Sequence, residues 1–252
     1  MAALNPSDET KQPEAAGPAA RQHTVNIGDS AIVGVAVAGD VHGSVTVQYP
    51  DLPPLPPVDQ TAAEAAFAQL PVDAVPDVAR TLPAGSRMPY QPNAVFTGRD
   101  DELRAVAAAL AAGDANVIST GIGGVGKTSL AIEAAWRYGP HFLGGVFWVN
   151  CAEAVNIPSE IAQCGGPGGL RLAGMAGLSL DDQVRLVRAE WARETPRLLI
   201  FDNCEAVLDE LAFLPEWLRR APQIAVLATS REPLNFAGEA VLLLGGLPTG
   251  PA

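Results

Sequence analysis

The chain has 252 residues, 48% hydrophobic and 17% charged, with a formal net charge of −12. This allows one or two domains with a sizeable core, and the acidic balance, with no basic cluster, argues against direct nucleic-acid binding. No run of about 18 apolar residues marks a membrane span, residues 1–20 lack an apolar signal-peptide core, and three cysteines without metal-ligand spacing fit a reducing cytoplasm and no structural metal.

Residues 1–23 are polar and rich in alanine and proline, and are expected to be disordered. Residues 24–49 differ. Val25 and Ile27, then Val33, Val35 and Val37, then Val45 and Val47 alternate with small or polar residues, and Gly-Asp recurs at Gly28-Asp29 and Gly39-Asp40. This is the period-2 pattern of short strands broken by turns. Two or three such strands bury little alone. The segment therefore either packs on another copy or a protein partner, or forms a weakly ordered hairpin. Residues 50–93 hold ten prolines and read as an extended, semi-rigid linker, interrupted by a helical piece at 61–70. A domain boundary is expected near residue 93, with a nucleotide-binding domain over 94–252.

That domain opens with Phe96-Thr97-Gly98-Arg99, and Asp100, Asp101 and Glu102 suit the start of a helix reaching Ala112. A short apolar strand follows at 115–119. Next come Gly121-Ile122-Gly123-Gly124-Val125-Gly126-Lys127-Thr128, which fit G-x-x-x-x-G-K-[ST] at every fixed position. A helix over 129–138 carries an apolar face and is expected to end at Gly139. Apolar runs at 145–149 and 198–201 predict strands buried on both faces. The Gly-Gly-Pro-Gly-Gly run at 165–169 must be loop, and Ser179 with Asp182 resembles a capping box opening a helix over 180–193. A helix over 207–220, with a break near Pro215, precedes a fourth strand at 224–228 and a fifth at 241–244. Strands alternating with helices predict an α/β fold. Its mostly parallel five-stranded sheet is covered on both faces, as in the three-layer sandwich of a P-loop NTPase.

The glycine-rich loop predicts the chemistry. Its glycines let successive backbone N–H groups of Gly121 to Ser129 turn toward phosphate oxygens, helped by the positive end of the following helix. Lys127 is expected on the β- and γ-phosphates, and the Thr128 hydroxyl on a magnesium ion. Asp202 follows an apolar strand and is the second expected metal ligand. The next residue, Asn203, stands where a base would be useful, and an amide cannot take that proton. Glu205 is the nearest alternative base, with a plain helix-start acid as the competing reading. Arg231, behind Thr229-Ser230 at a strand end, is a candidate contact to the γ-phosphate, and Arg99 a weaker one near the nucleotide. Cys204 is read as a packed side chain, not a nucleophile.

Four segments occur in a telling order: Phe96-Thr97-Gly98-Arg99 with Glu102-Leu103, the glycine-rich loop, Leu198-Leu199-Ile200-Phe201-Asp202-Asn203-Cys204-Glu205, and Leu227-Ala228-Thr229-Ser230-Arg231-Glu232. Together they resemble the NB-ARC-type nucleotide-binding domain of the STAND ATPases, most closely the bacterial signalling and regulatory members, over about residues 94–248. The resemblance implies an ATP/ADP switch with Mg2+, and nucleotide-driven oligomerisation. It also implies a helical lid, a winged-helix domain and sensor repeats after this domain. The sequence stops where the lid should begin, so a truncated product or fragment is expected. The expected function is an ATP/ADP-binding signal-transduction switch with slow or negligible hydrolysis. The rivals are a proficient ATPase driving remodelling, a small-molecule kinase, and a remnant unable to hold nucleotide.

Overall fold

The computed structural model describes residues 23–26, 45–48, 52–112, 115–119, 124–152, 157–207, 211, 214–234 and 239–246. The backbone separates into two compact units, residues 1–51 and 52–252.

In the first unit, strands β1 (His23–Asn26) and β2 (Val45–Gln48) pair in parallel, with Val25 opposite Val47. A hairpin would pair them antiparallel, so the hairpin alternative is corrected for this pair. Parallel neighbours need a long connection, and 18 residues separate the two strands here. The rest of the valine pattern, Val33 to Val37 and both Gly-Asp pairs, lies outside the described residues, as do residues 1–22.

The second unit is built on a five-stranded sheet in the order β4-β5-β6-β3-β7, every neighbouring pair parallel. The strands are β3 (Ala115–Ser119), β4 (Val146–Asn150), β5 (Arg197–Asp202), β6 (Ile224–Ser230) and β7 (Ala240–Leu243). All of β5 and β6 is buried. Alternate residues serve opposite cores, which is why their sequences are continuously apolar. Val146, Trp148, Leu198, Ile200, Ala225 and Leu227 face α2 (Asp100–Ala112) and α3 (Lys127–Tyr138). Phe147, Val149, Leu199, Phe201, Val226 and Ala228 face α4 (Ile157–Cys164) and α5 (Leu180–Trp191) on the other side. The three-layer α/β expectation holds. The Ser179 cap is formed as read, accepting from the Asp182 N–H at 3.2 Å. The helix expected over 207–220 is shorter, α6 (Leu214–Arg220), after a 3-10 turn at Cys204–Ala206.

Residues 52–93 are not a free linker. Helix α1 (Gln60–Ala68) is capped by Asp59 and buries Ala63. Further on, the Arg87 N–H donates to the Val146 carbonyl at 2.8 Å, and the Trp148 N–H donates back to the Arg87 carbonyl at 2.9 Å. The segment thus pairs with the outer edge of β4, where unpaired groups would otherwise stand open. The Arg87 side chain bonds the Trp148 carbonyl and the Glu160 carboxylate. Ala79 N–H donates to the Trp136 carbonyl, and the Trp136 indole donates to the Tyr90 carbonyl. The prolines favour extended backbone; the arginine and the amides between them anchor it.

Gly139 also differs from expectation. Its φ is −50°, right-handed, and the chain runs on into a 3-10 turn over Gly139–His141. Pro140, not a left-handed glycine, ends the regular helix. The glycine is there for space: a Cβ would stand 2.7 Å from Leu82 Cδ2 and 3.0 Å from Val146 Cγ2.

Candidate functional site

The chain leaves β3, runs out to the β4 edge and returns through β5 and β6, and β7 then joins on the other side of β3. This reversal of direction beside β3 opens a crevice at the carboxyl ends of the strands. The glycine-rich loop follows β3 there, Asp202 ends β5, and Ser230 ends β6.

Gly121, Ile122 and Gly123 lie outside the described residues. Gly124 and Gly126 are left-handed, with φ of +79° and +98°, a conformation that costs other residues strain. A Cβ on either would meet no atom of the described residues within 4 Å. Gly126 is the N-terminal cap of α3 and accepts the Leu130 N–H at 2.9 Å. Lys127 and Thr128 open that helix half-buried, and Ser129 is exposed.

Asp202 is the hub. It is 3% exposed. Its Oδ1 accepts from the Thr128 hydroxyl at 2.9 Å and from the Thr229 hydroxyl, and its Oδ2 accepts from the Asn203 amide at 3.0 Å. Burial pushes its pKa above the ordinary carboxylate range, while Thr229, Thr128 and the charge of Lys127 pull it down. Thr229 was not singled out in the sequence. It is fully buried, and its Oγ1 also accepts the Asn203 N–H at 3.0 Å. Its period-2 position near the end of β6, beside β5, is the signal that could have found it. Asn203 sits at φ 63° in the left-handed region, which asparagine tolerates better than most residues.

The remaining candidates are each engaged. Arg99 is 5% exposed; one terminal nitrogen donates to Glu102 at 2.7 Å, and the other to the carbonyls of Val125 and Gly245 at 3.2 and 2.9 Å. Those donors bind the loop and the end of β7. Arg231 Nε meets Glu205 Oε1 at 2.9 Å, so the two residues proposed for separate tasks are partners. Glu205 Oε2 is buried with no hydrogen-bond partner among the described residues. Cys204 is buried, its thiol on the Phe201 carbonyl at 3.4 Å. A hydrogen bond with Cys151 and burial raise its pKa well above the usual thiol value, as suits a packed residue. The Asp202 carboxylate and the Thr128 hydroxyl, 2.9 Å apart, are hard oxygen donors. That donor chemistry fits a magnesium ion.

No family model matches the chain. A Mycobacterium tuberculosis protein named as an HTH-type transcriptional regulator is 36% identical over 143 residues, 52% of this chain and 14% of that protein. A nucleotide-binding leucine-rich repeat (NLR)-like protein of Hyaloscypha variabilis is 41% identical over 78 residues, 29% of this chain and 8% of its own length. The chain therefore spans only a small part of these relatives. Among solved structures, a STAND protein with a tetratricopeptide repeat sensor from Pyrococcus horikoshii is 23% identical, with a TM-score of 0.41, covering 66% of this chain and 25% of that one. No helix among the described residues is long and apolar enough to cross a membrane. With its glycine-rich loop and the parallel strand order around it, the second unit has a nucleotide-binding, P-loop ATPase-type fold.

Proposed function

We propose that this domain is an ATP/ADP-binding signal-transduction switch that hydrolyses ATP slowly. The observation that carries this is the Asp202 hub: one buried carboxylate joins the helix of the glycine-rich loop, through Thr128, to the end of β6, through Thr229. The backbone N–H groups of Gly121 to Ser129 hold the phosphates, and Lys127 reaches the β- and γ-oxygens. Thr128 and Asp202 hold Mg2+, which when bound neutralises phosphate charge. Arg99 shapes the loop rather than touching the nucleotide directly, since its terminal nitrogens are spent on Glu102 and two carbonyls. Arg231 is the γ-phosphate contact.

Slow turnover follows from Asn203. Its amide is bonded to Asp202 and can take no proton. Glu205, the other candidate base, is held by Arg231. Missing base assistance alone costs about 10²–10⁴-fold in rate. The regulator name of the mycobacterial relative supports signalling over remodelling. Calorimetry with ATP and ADP tests the reading. Lys127→Ala should lose about 10–100-fold in affinity, the worth of charge-assisted bonds to phosphate, with an unchanged circular dichroism spectrum. Equal affinity in both proteins would sink the assignment. Self-association through residues 24–49 is a second part of the proposal, supported by the parallel pairing of β1 and β2. Deleting residues 1–49 should lower the number of chains per particle seen by light scattering, and an unchanged number removes it.

A further inference from the structure

The Glu205–Arg231 pair stands just past the carboxyl ends of β5 and β6, the end of the sheet at which the glycine-rich loop follows β3. Glu205 lies in the 3-10 turn just after β5, and Arg231 just after β6. The two strands are paired in register, Phe201 opposite Ala228, so their ends bring the side chains together at 2.9 Å. Three features describe this contact. It uses only Oε1, while the buried Oε2 of the same carboxylate has no hydrogen-bond partner among the described residues. It is lopsided, with Arg231 65% exposed and Glu205 25%. And Glu205 lies close enough to Asp202 for its charge to be felt there, at the hub that also feels Lys127.

We propose that Glu205 is a positioning residue for Arg231, and that the two form an exchangeable counter-ion pair that makes the site respond to the third phosphate of a nucleoside triphosphate. Without a γ-phosphate, Glu205 holds the guanidinium beside the site. A γ-phosphate oxygen offers a more strongly charged acceptor than the single carboxylate oxygen now used. A pair this exposed is worth at most about fivefold in an equilibrium, whereas a hydrogen bond from a cation to phosphate is worth about tenfold or more. The triphosphate therefore wins the exchange, and a diphosphate, which lacks the oxygen, leaves the pair closed. Arg231 is the moving part, because it is the exposed partner. The contact reads out which nucleotide is bound, and it loosens Glu205 when it opens.

This inference rests on the nucleotide-switch reading, and the experiment separates the two. Affinities for ADP and for a β,γ-imido ATP analogue are measured by calorimetry with Mg2+ in the full chain, and the ratio of the two is followed. Glu205→Gln removes the carboxylate and should raise the preference for the analogue by up to about fivefold. Glu205→Asp keeps the charge but falls short of Arg231 by one methylene, and should do the same. Arg231→Ala should lower the preference by about tenfold, and adding Glu205→Gln in that background should change nothing further. The proposal is overturned if Glu205→Gln shifts the ratio equally with and without Arg231, or if Glu205→Asp matches wild type, since either marks a through-space charge effect. If wild type binds neither nucleotide, the switch reading fails and takes the pair with it. If it binds both with no coupling between the two positions, the pair alone fails.

Discussion

Glu133 gives the sharpest test of how the proline-rich segment belongs to the fold. Its carboxylate is fully buried on α3, the helix that follows the glycine-rich loop. Oε1 accepts the Asn93 N–H at 2.8 Å, Oε2 accepts from Arg137 Nε at 3.1 Å, and Arg137 in turn donates to the Pro76 carbonyl at 2.7 Å. One acid thus fastens two points of the segment to α3. Glu133→Ala leaves a buried N–H without its acceptor, at about 1–3 kcal/mol. It also leaves a largely buried guanidinium without its counter-ion, and breaking such a pair costs about 3–5 kcal/mol in all. Arg137 keeps some exposure, with 18% of its side chain accessible, so water softens the loss and about 3 kcal/mol is expected. In a unit of this size that is a fall of about 6–12 °C in Tm. Urea unfolding followed by tryptophan fluorescence measures it. Glu133→Gln should lose less, because an amide oxygen still accepts from Asn93. The control is Glu216→Ala, which breaks an exposed pair with Arg220 and should stay within about 0.5 kcal/mol. A loss below about 1 kcal/mol for Glu133→Ala would refute the idea that the segment is fastened there.

Two further outcomes follow from the site and the core. Asn203→Asp keeps a residue that tolerates the left-handed backbone and supplies a base, so ATP turnover should rise by up to about 10²-fold; a rate that stays at the wild-type level shows that a missing base is not what limits the reaction. The three cysteines are buried and free, and burial raises the Cys164 thiol to about 12, so about one in 10⁴ of it is thiolate at pH 8. The native protein should therefore be inert to a thiol-specific chromogenic disulfide at pH 8 and should release three equivalents in denaturant. The stability gained by keeping Cys164 neutral is fully present below its ordinary pKa of 9.0 and is lost as pH rises toward 12. Fast reaction of the folded chain would show that this packing opens readily.

The sheet was legible because its signal is local. Leu198 to Phe201 and Ile224 to Ala228 are apolar at every position, and only a strand buried on both faces asks for that. Asp202 was legible for the same reason, as an acid at the end of such a run. Thr229 was not, because its role depends on β5 and β6 lying side by side, and pairing partners are not written in either strand alone. The Glu205–Arg231 contact was hidden likewise: each residue was noticed, but their 2.9 Å meeting is a product of strand register. The segment over 52–93 misled for another reason. Proline content reports a backbone preference for extension, and an extended chain can be a spacer or can lie along the edge of a sheet. What decides is Arg87 and the acceptors it finds on β4 and α4, far away in sequence. The valine alternation of the first unit specified strands, but nothing in a period of two separates parallel from antiparallel neighbours.

Arg99 has a mechanical consequence. A single terminal nitrogen of its guanidinium donates to the Val125 carbonyl and to the Gly245 carbonyl. Both of that nitrogen's hydrogens are committed, and the group is planar and rigid. The glycine-rich loop and the end of β7 are therefore joined by a strut one atom wide. A tug on the chain just past β7 travels through this strut to the loop without first unfolding anything. Conversely, a loop that tightens draws on β7, an edge strand of the sheet that pairs only with β3 among the described strands. Loop shape and strand position form one degree of freedom, and a load on either end is felt at the other.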